Sequence, residues 1–197
     1  MPWDRASRPS ADGRIATDTA LKRRLEERLG PVLEGSVRQR HDQTEIRIAA
    51  GSTVDVLRTL HDDPAFRFEV LADLAGVDTG ESMQVVYHLW SSTTPDWLRV
   101  IVVDLDRDDP RVPSATFLWK GAEWMEREAY DMFGIIFEGN RDLRRIYMPP
   151  DYTSFPLRKD FYLADDAARS PGLGVRPMEQ VHTPAESVAP IRRSRAR

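Results

Sequence analysis

Two runs rich in Val, Ile, Tyr and Trp, Met83 to Trp90 and Trp97 to Leu105, are separated only by Ser91 to Asp96. β-Branched and aromatic side chains favour extended, pleated backbone, where they pack against cross-strand neighbours. A parallel crossover takes about a dozen residues or more, so these strands can pair only antiparallel, as a hairpin. Any fold for this chain has to be built around that pair.

The flanking patterns supply its partners. Leu21, Leu25 and Leu29 predict a helix that opens at Thr17 or Asp18 and stops at Gly30-Pro31, with Lys22, Arg23, Arg24 and Arg28 solvated. Thr44 to Ile48 alternates, placing Ile46 and Ile48 inward, and residues 32–40 can pair with it across His41-Asp42-Gln43. Ser52 or Thr53 opens a second helix with Val54, Leu57 and Leu60 on one face, closed by Asp62-Asp63-Pro64. Phe66, Phe68, Val70 and Leu71 begin a strand that runs to Asp78. After Pro110 and Pro113, Ser114 is placed to cap a third helix reaching about Ala129. Its inner face is Leu118, Ala122, Met125 and Ala129, with Phe117 and Trp124 beside them.

This order predicts an α+β fold: a two-layer domain with a mixed sheet flanked by helices, plus an extended irregular C-terminal segment. Residues 1–16 read as a flexible leader and 17–134 as the domain. Residues 135–163, with Pro149, Pro150 and Pro156, read as an irregular partner-binding segment. Aromatics vanish beyond it, and 164–197 reads as an extended or disordered tail.

Composition removes several function classes. The 197 residues include no cysteine, which excludes disulfides, thiolate metal sites and cysteine nucleophiles. A net charge of −4 provides no general field for nucleic acid or an anionic membrane. The longest apolar stretch, Val100 to Val103, is far short of the about 20 residues needed to cross a bilayer. Met1-Pro2-Trp3-Asp4-Arg5 lacks the apolar run of a secretory signal, so a soluble, intracellular chain is expected. There is no G-x-G-x-x-G and no Walker A loop, and Gly172-Leu173-Gly174 stands alone in a proline-rich stretch. His41, His61, His88 and His182 are scattered and lack ligand spacing.

The charges are densest at Glu123, Glu126, Arg127, Glu128 and Asp131, then Glu138, Arg141, Asp142, Arg144, Arg145 and Asp151. Two of these carboxylates in register would make an acid/base pair, and a hydrolase using Glu126, Glu128 or Asp131 is the competing reading. Alternating signs in Glu126-Arg127-Glu128 and Arg141-Asp142 favour local ion pairing and a structural role. The irregular run from Tyr147 to Tyr162 carries Tyr152, Phe155 and Phe161 and needs cover, from its own domain or from a partner.

The residues Glu126-Arg127-Glu128-Ala129-Tyr130-Asp131-Met132-Phe133-Gly134-Ile135-Ile136-Phe137, then Asp142-Leu143-Arg144-Arg145-Ile146-Tyr147-Met148-Pro149, resemble the signature of the respiratory complex I 30-kDa subunit family, a component of NADH-quinone oxidoreductase. Phe155-Pro156-Leu157-Arg158-Lys159-Asp160-Phe161 is similar to a further stretch of that family. The resemblance implies a non-catalytic subunit of a hydrophilic arm, on the cytoplasmic side of the cell membrane and attached to it only through the complex. It implies docking on a 49-kDa-like, quinone-pocket subunit beside iron–sulfur subunits, with FMN, iron–sulfur clusters and quinone all held by partners. The related subunit of a membrane-bound hydrogenase or a ferredoxin-dependent assembly shares the signature. The implied interface is Glu126, Arg127, Glu128, Tyr130, Asp131, Phe133, Gly134, Phe137, Leu143, Arg144, Arg145, Pro156, Leu157, Arg158, Lys159, Asp160 and Phe161. Arg144 and Arg145 are expected to make charge-assisted contacts with the partner. Where the family usually has His-Pro after the glycine, this chain has Asn140-Arg141.

Overall fold

A computed structural model describes residues 11–40, 43–94 and 96–162. The expectations for the first ten residues of the leader and for the tail lie outside them.

At the centre is a five-stranded mixed sheet, ordered β1-β2-β5-β4-β3. β4 (Met83–Trp90) and β5 (Trp97–Leu105) form the expected antiparallel pair, with Tyr87 opposite Val100 and Leu89 opposite Leu98. β4 alternates strictly, burying Met83, Val85, Tyr87 and Leu89. β3 (Val70–Asp78) pairs antiparallel with its other edge. β2 (Gln43–Ala49) lies parallel to β5, and β1 (Arg38–Arg40) adds an antiparallel edge. The parallel pairing is possible because a helix and two strands lie between β2 and β5 in the chain.

Three helices complete the α+β domain: α1 (Ala11–Leu29), α2 (Thr53–Asp62) and α3 (Ala122–Phe133). Leu21, Leu25 and Leu29 of α1 and Val56, Leu57 and Leu60 of α2 join Ile46, Ile48, Val85, Tyr87, Leu98 and Val100 in one core. Each such aliphatic side chain contributes about 1.5–3 kcal/mol by leaving water.

Several elements differ from the sequence expectation. α1 begins at Ala11, inside the expected leader. No proline separates this stretch from the leucine face, and a helix anchored there propagates at little cost. In α2, Val56 takes the core position expected for Val54, because a buried Thr53 starts an i, i+3, i+4, i+7 face at 53, 56, 57 and 60. Phe66 and Phe68 are fully buried but precede β3; the Phe68 N–H donates instead to Leu60 O at 2.9 Å. α3 starts at Ala122, not at Ser114, since residues 115–121 are spent on turns that close Trp119 N–H onto Ala115 O at 3.0 Å. Met125 is only half-buried, and Phe117 and Trp124 are exposed. The stretch expected to be irregular opens with a strand. β7 (Ile136–Glu138) pairs parallel with β6 (Arg111–Pro113), an edge strand of a two-stranded sheet, where a proline is tolerated.

Candidate partner-docking surface

α3 ends at Gly134, whose left-handed backbone (φ 76°) brings its N–H to Tyr130 O at 2.8 Å. Glycine adopts this conformation at no steric cost. The chain then forms β7 and folds back over the end of α3. Phe155 seals this return: a Cβ at Gly134 would lie 2.6 Å from its ring. Two guanidinium groups stack on the same ring, Arg145 at 5.0 Å and Arg158 at 4.7 Å from its centroid.

Asp131 is the first anchor of the returning segment, and it is fully buried. One carboxylate oxygen accepts from Arg145 Nη1 at 2.7 Å. The other accepts three successive backbone N–H groups, Ile146 at 2.9 Å, Tyr147 at 2.6 Å and Met148 at 3.0 Å. Burial pulls the Asp131 carboxyl upward, but Arg145 and the three amides outweigh it and hold it below the usual carboxylate range.

Asp78, at the end of β3, is the second anchor. Its oxygens accept from Arg107 Nη2 at 2.7 Å, Gly80 N at 2.7 Å and Lys159 N at 2.8 Å. Arg107 also meets Asp160 at 3.1 Å, so the segment is fastened to the sheet at Lys159-Asp160. Burial opposes ionisation of Asp78 as well, yet Arg107 and the two amides leave its pKa lowered.

Glu126 stands apart. Its carboxylate accepts from Ala115 N at 2.6 Å, Ser114 Oγ at 2.9 Å and Asn140 Nδ2 at 2.8 Å. Among the described residues it has no basic partner, and burial pushes its pKa up despite those donors. The expected local neutralisation by Arg127 does not occur: Arg127 stacks on Trp124 at 4.5 Å and meets Asp142 at 3.5 Å. Ser114, read as a helix cap, instead ties β6 to the middle of α3 through this carboxylate. Asn140 also takes the N–H of Asp142 on its Oδ1 at 2.9 Å, so it closes the loop after β7 with one donor and one acceptor.

Acid should loosen the returning segment first. Asp131 and Asp78 have lowered folded-state pKa values. Their contribution is fully present above the unfolded carboxylate value of about 4 and is lost as pH falls through the folded values. Glu126, with a raised value, has the opposite sign: its contribution is present in acid and fades as pH rises through the folded value. Denaturant unfolding between about pH 5 and pH 2 is expected to show a shallower acid loss of stability in Asp131→Asn than in the wild type. Equal slopes would count against the anchor.

Residues 46–167 match the family described as respiratory-chain NADH dehydrogenase, 30 Kd subunit. A NADH-quinone oxidoreductase subunit of this family from Roseiflexus sp. is 43% identical over 150 residues, 74% of this chain and 85% of that protein. This chain belongs to the 30-kDa subunit family. The corresponding protein of Saccharopolyspora erythraea is 42% identical over 131 residues, 64% of this chain but only 52% of that protein's length. Among solved structures, a trypsin-resistant fragment (1-134) of Nqo5 aligns at 31% identity with a TM-score of 0.52, over 63% of this chain and 99% of the fragment. A chain of the membrane-bound sulfane sulfur reductase, an archaeal respiratory membrane complex, aligns at 27% identity with a TM-score of 0.61, over 85% of this chain and 98% of its own.

The structure sorts the 30-kDa family signature into inward and outward residues. Glu126, Arg127, Asp131, Gly134 and Phe137 are buried within the chain, so the free protein does not present them to a partner. Arg145 is committed to Asp131 and to Ser154 O at 3.1 Å, and an intersubunit contact through it is not what the fold provides. Phe133 packs on Gly76, leaving no room for a Cβ there. Tyr130, Leu143, Pro156, Arg158 and Phe161 are half-buried, and Glu128, Arg144, Lys159 and Asp160 face solvent. Exposed apolar residues beside them include Trp124 (61%), Tyr147 (61%), Leu157 (55%) and Tyr162 (44%). Tyr147 and Leu157 flank one face of α3, the first reaching Glu128 and the second donating its N–H to Met132 O at 3.1 Å. Sequence reasoning missed Asp78, Arg107 and Ser114. Their partners lie far away in the chain, and no local pattern signals them.

Proposed function

We propose that this chain is a non-catalytic structural subunit in the hydrophilic arm of a proton-translocating NADH:quinone oxidoreductase. It docks on the 49-kDa-like, quinone-pocket subunit through the returning segment and supports electron transfer from NADH to quinone. FMN, iron–sulfur clusters and quinone belong to the partner subunits, and membrane association comes through the complex, on its cytoplasmic side. The observation that carries this reading is the use made of the signature carboxylates. The oxygens of Asp131 and Glu126 are committed to donors that hold the returning segment and the loop after β7 in shape. That arrangement fixes geometry and leaves neither Asp131 nor Glu126 as a free base, against a hydrolase built on those two carboxylates. The relatives' names supply the assembly, and the exposed Tyr147, Leu157 and Tyr162 supply a surface suited to burial by another chain. Among the described residues no helix is long and apolar enough to cross a membrane.

The likeness to the sulfane sulfur reductase chain favours a second reading, the equivalent subunit of a relative with another electron donor, such as a membrane-bound hydrogenase or a ferredoxin-dependent assembly. Purification of the tagged chain from native membranes separates the two. The first reading expects flavin- and cluster-bearing chains to co-purify and the preparation to reduce quinone with NADH. Co-purification with activity only from another donor supports the second. Recovery of the chain alone contradicts both.

A further inference from the structure

Among the described residues, the buried and half-buried arginines other than Arg158 are paired with carboxylates. Arg24 meets Asp96, Arg47 and Arg99 meet Glu45, Arg107 meets Asp78 and Asp160, Arg127 meets Asp142, and Arg145 meets Asp131. Arg158 breaks the rule. It is half-buried, and no carboxylate of the described residues lies within ion-pair distance of it. Asp160, Asp78 and Asp108 act on it only at longer range, and the first two are paired with Arg107.

Yet Arg158 is held in place. Its Nε donates to Phe133 O at 2.7 Å, its guanidinium lies 4.7 Å from the Phe155 ring centroid, and its backbone N–H closes a turn onto Phe155 O at 3.2 Å. A Cβ at Gly134 would come within 2.9 Å of its Nη2, so the group rests against bare backbone. Stacking and one hydrogen bond thus fix the plane of the fork while its outer nitrogens are left without an acceptor among the described residues. Burial already pulls its pKa down, an electrostatic cost that an opposing negative charge would relieve. Exposed Leu157 and Lys159 flank it in the chain, and exposed Tyr162 follows.

We propose that Arg158 is a preformed receptor for the carboxylate of an Asp or Glu on the adjoining polypeptide, seated against the Phe155 ring. A planar, immobilised guanidinium binds a carboxylate through two parallel hydrogen bonds and loses little side-chain entropy in doing so. Arginine is also among the residues enriched at interface hot spots. The proposal rests on the docking reading above, from which its test is separable.

The test uses the assembled complex. Carbodiimide, a zero-length reagent, joins lysine amines to carboxylates, so Arg158→Lys turns the site into a reporter. The expected result is a cross-linked peptide joining position 158 to an Asp or Glu of another subunit, absent when Arg158 is retained. Arg158→Gln, which keeps a donor for Phe133 O, is expected to bind the remaining complex about thirtyfold more weakly or worse, with the isolated chain's melting temperature little changed. A position-158 cross-link confined to this chain, or none in an intact complex, overturns the proposal. So does unchanged affinity of Arg158→Gln. Those outcomes leave the docking reading standing if the wild-type chain co-purifies; a wild-type chain that joins no complex overturns both.

Discussion

Asp131→Ala is expected to release residues 143–162 from the domain while the sheet stays folded. The substitution leaves the buried Arg145 guanidinium without its carboxylate and removes the acceptor of three backbone N–H groups. Breaking a buried pair from one side costs about 3–5 kcal/mol, a large part of the stability of an ordinary domain. Local opening is cheaper than global unfolding, because, of residues 143–162, only Leu143 packs against the main core cluster, which is built from the sheet and the three helices. Trypsin should then cut rapidly at Arg144, Arg145, Arg158 and Lys159, and the unfolding midpoint in urea should fall. Asp131→Asn keeps an acceptor for the amides and should lose less. Wild-type resistance to trypsin in Asp131→Ala would remove the anchor from the account.

Gly134→Ala is expected to be almost as damaging, although it adds one methyl group. Alanine at φ 76° is strained by about 1–2 kcal/mol. Its Cβ would also sit 2.6 Å from the Phe155 ring and 2.9 Å from Arg158 Nη2, and overpacking adds about 1–3 kcal/mol. The two costs fall on the same contact, so Phe155 should leave its seat and free both stacked arginines. A fall of about 2–5 kcal/mol in unfolding free energy is expected. A loss within about 0.5 kcal/mol, typical of surface changes, would show that Phe155 does not seal the return.

Where the sequence was legible, the signal was local. β4 and β5 are set by their own β-branched runs and a short link, and the leucine spacing of α1 is satisfied within the helix. Elements stabilised by their neighbours were not legible. β6 and β7 are three residues each, and their pairing becomes favourable only once α3 has brought Ile136 beside Arg111. Glu126 shows the same limit at the level of one side chain. A carboxylate flanked by Arg127 on a helix reads as a solvated ion pair, and only the fold shows Ser114, Ala115 and Asn140 converging on it. The departure at Asn140 proves to be a working donor. The alternatives left open for Tyr147 to Tyr162 resolve unevenly: Phe155 packs on its own domain, whereas Tyr147, Leu157 and Tyr162 remain outside.

Amide hydrogen exchange, measured on the isolated chain and on the assembled complex, distinguishes a docking face built by this chain from one built by its partner. The segment is held by its own carboxylates before any partner arrives, so Ile146, Tyr147, Met148 and Lys159 should exchange slowly in the isolated chain. Assembly should add protection around Leu157 and Tyr162. Exchange of those four amides at random-coil rates until the complex forms would mean that the partner, and not Asp131 and Asp78, builds the docking face.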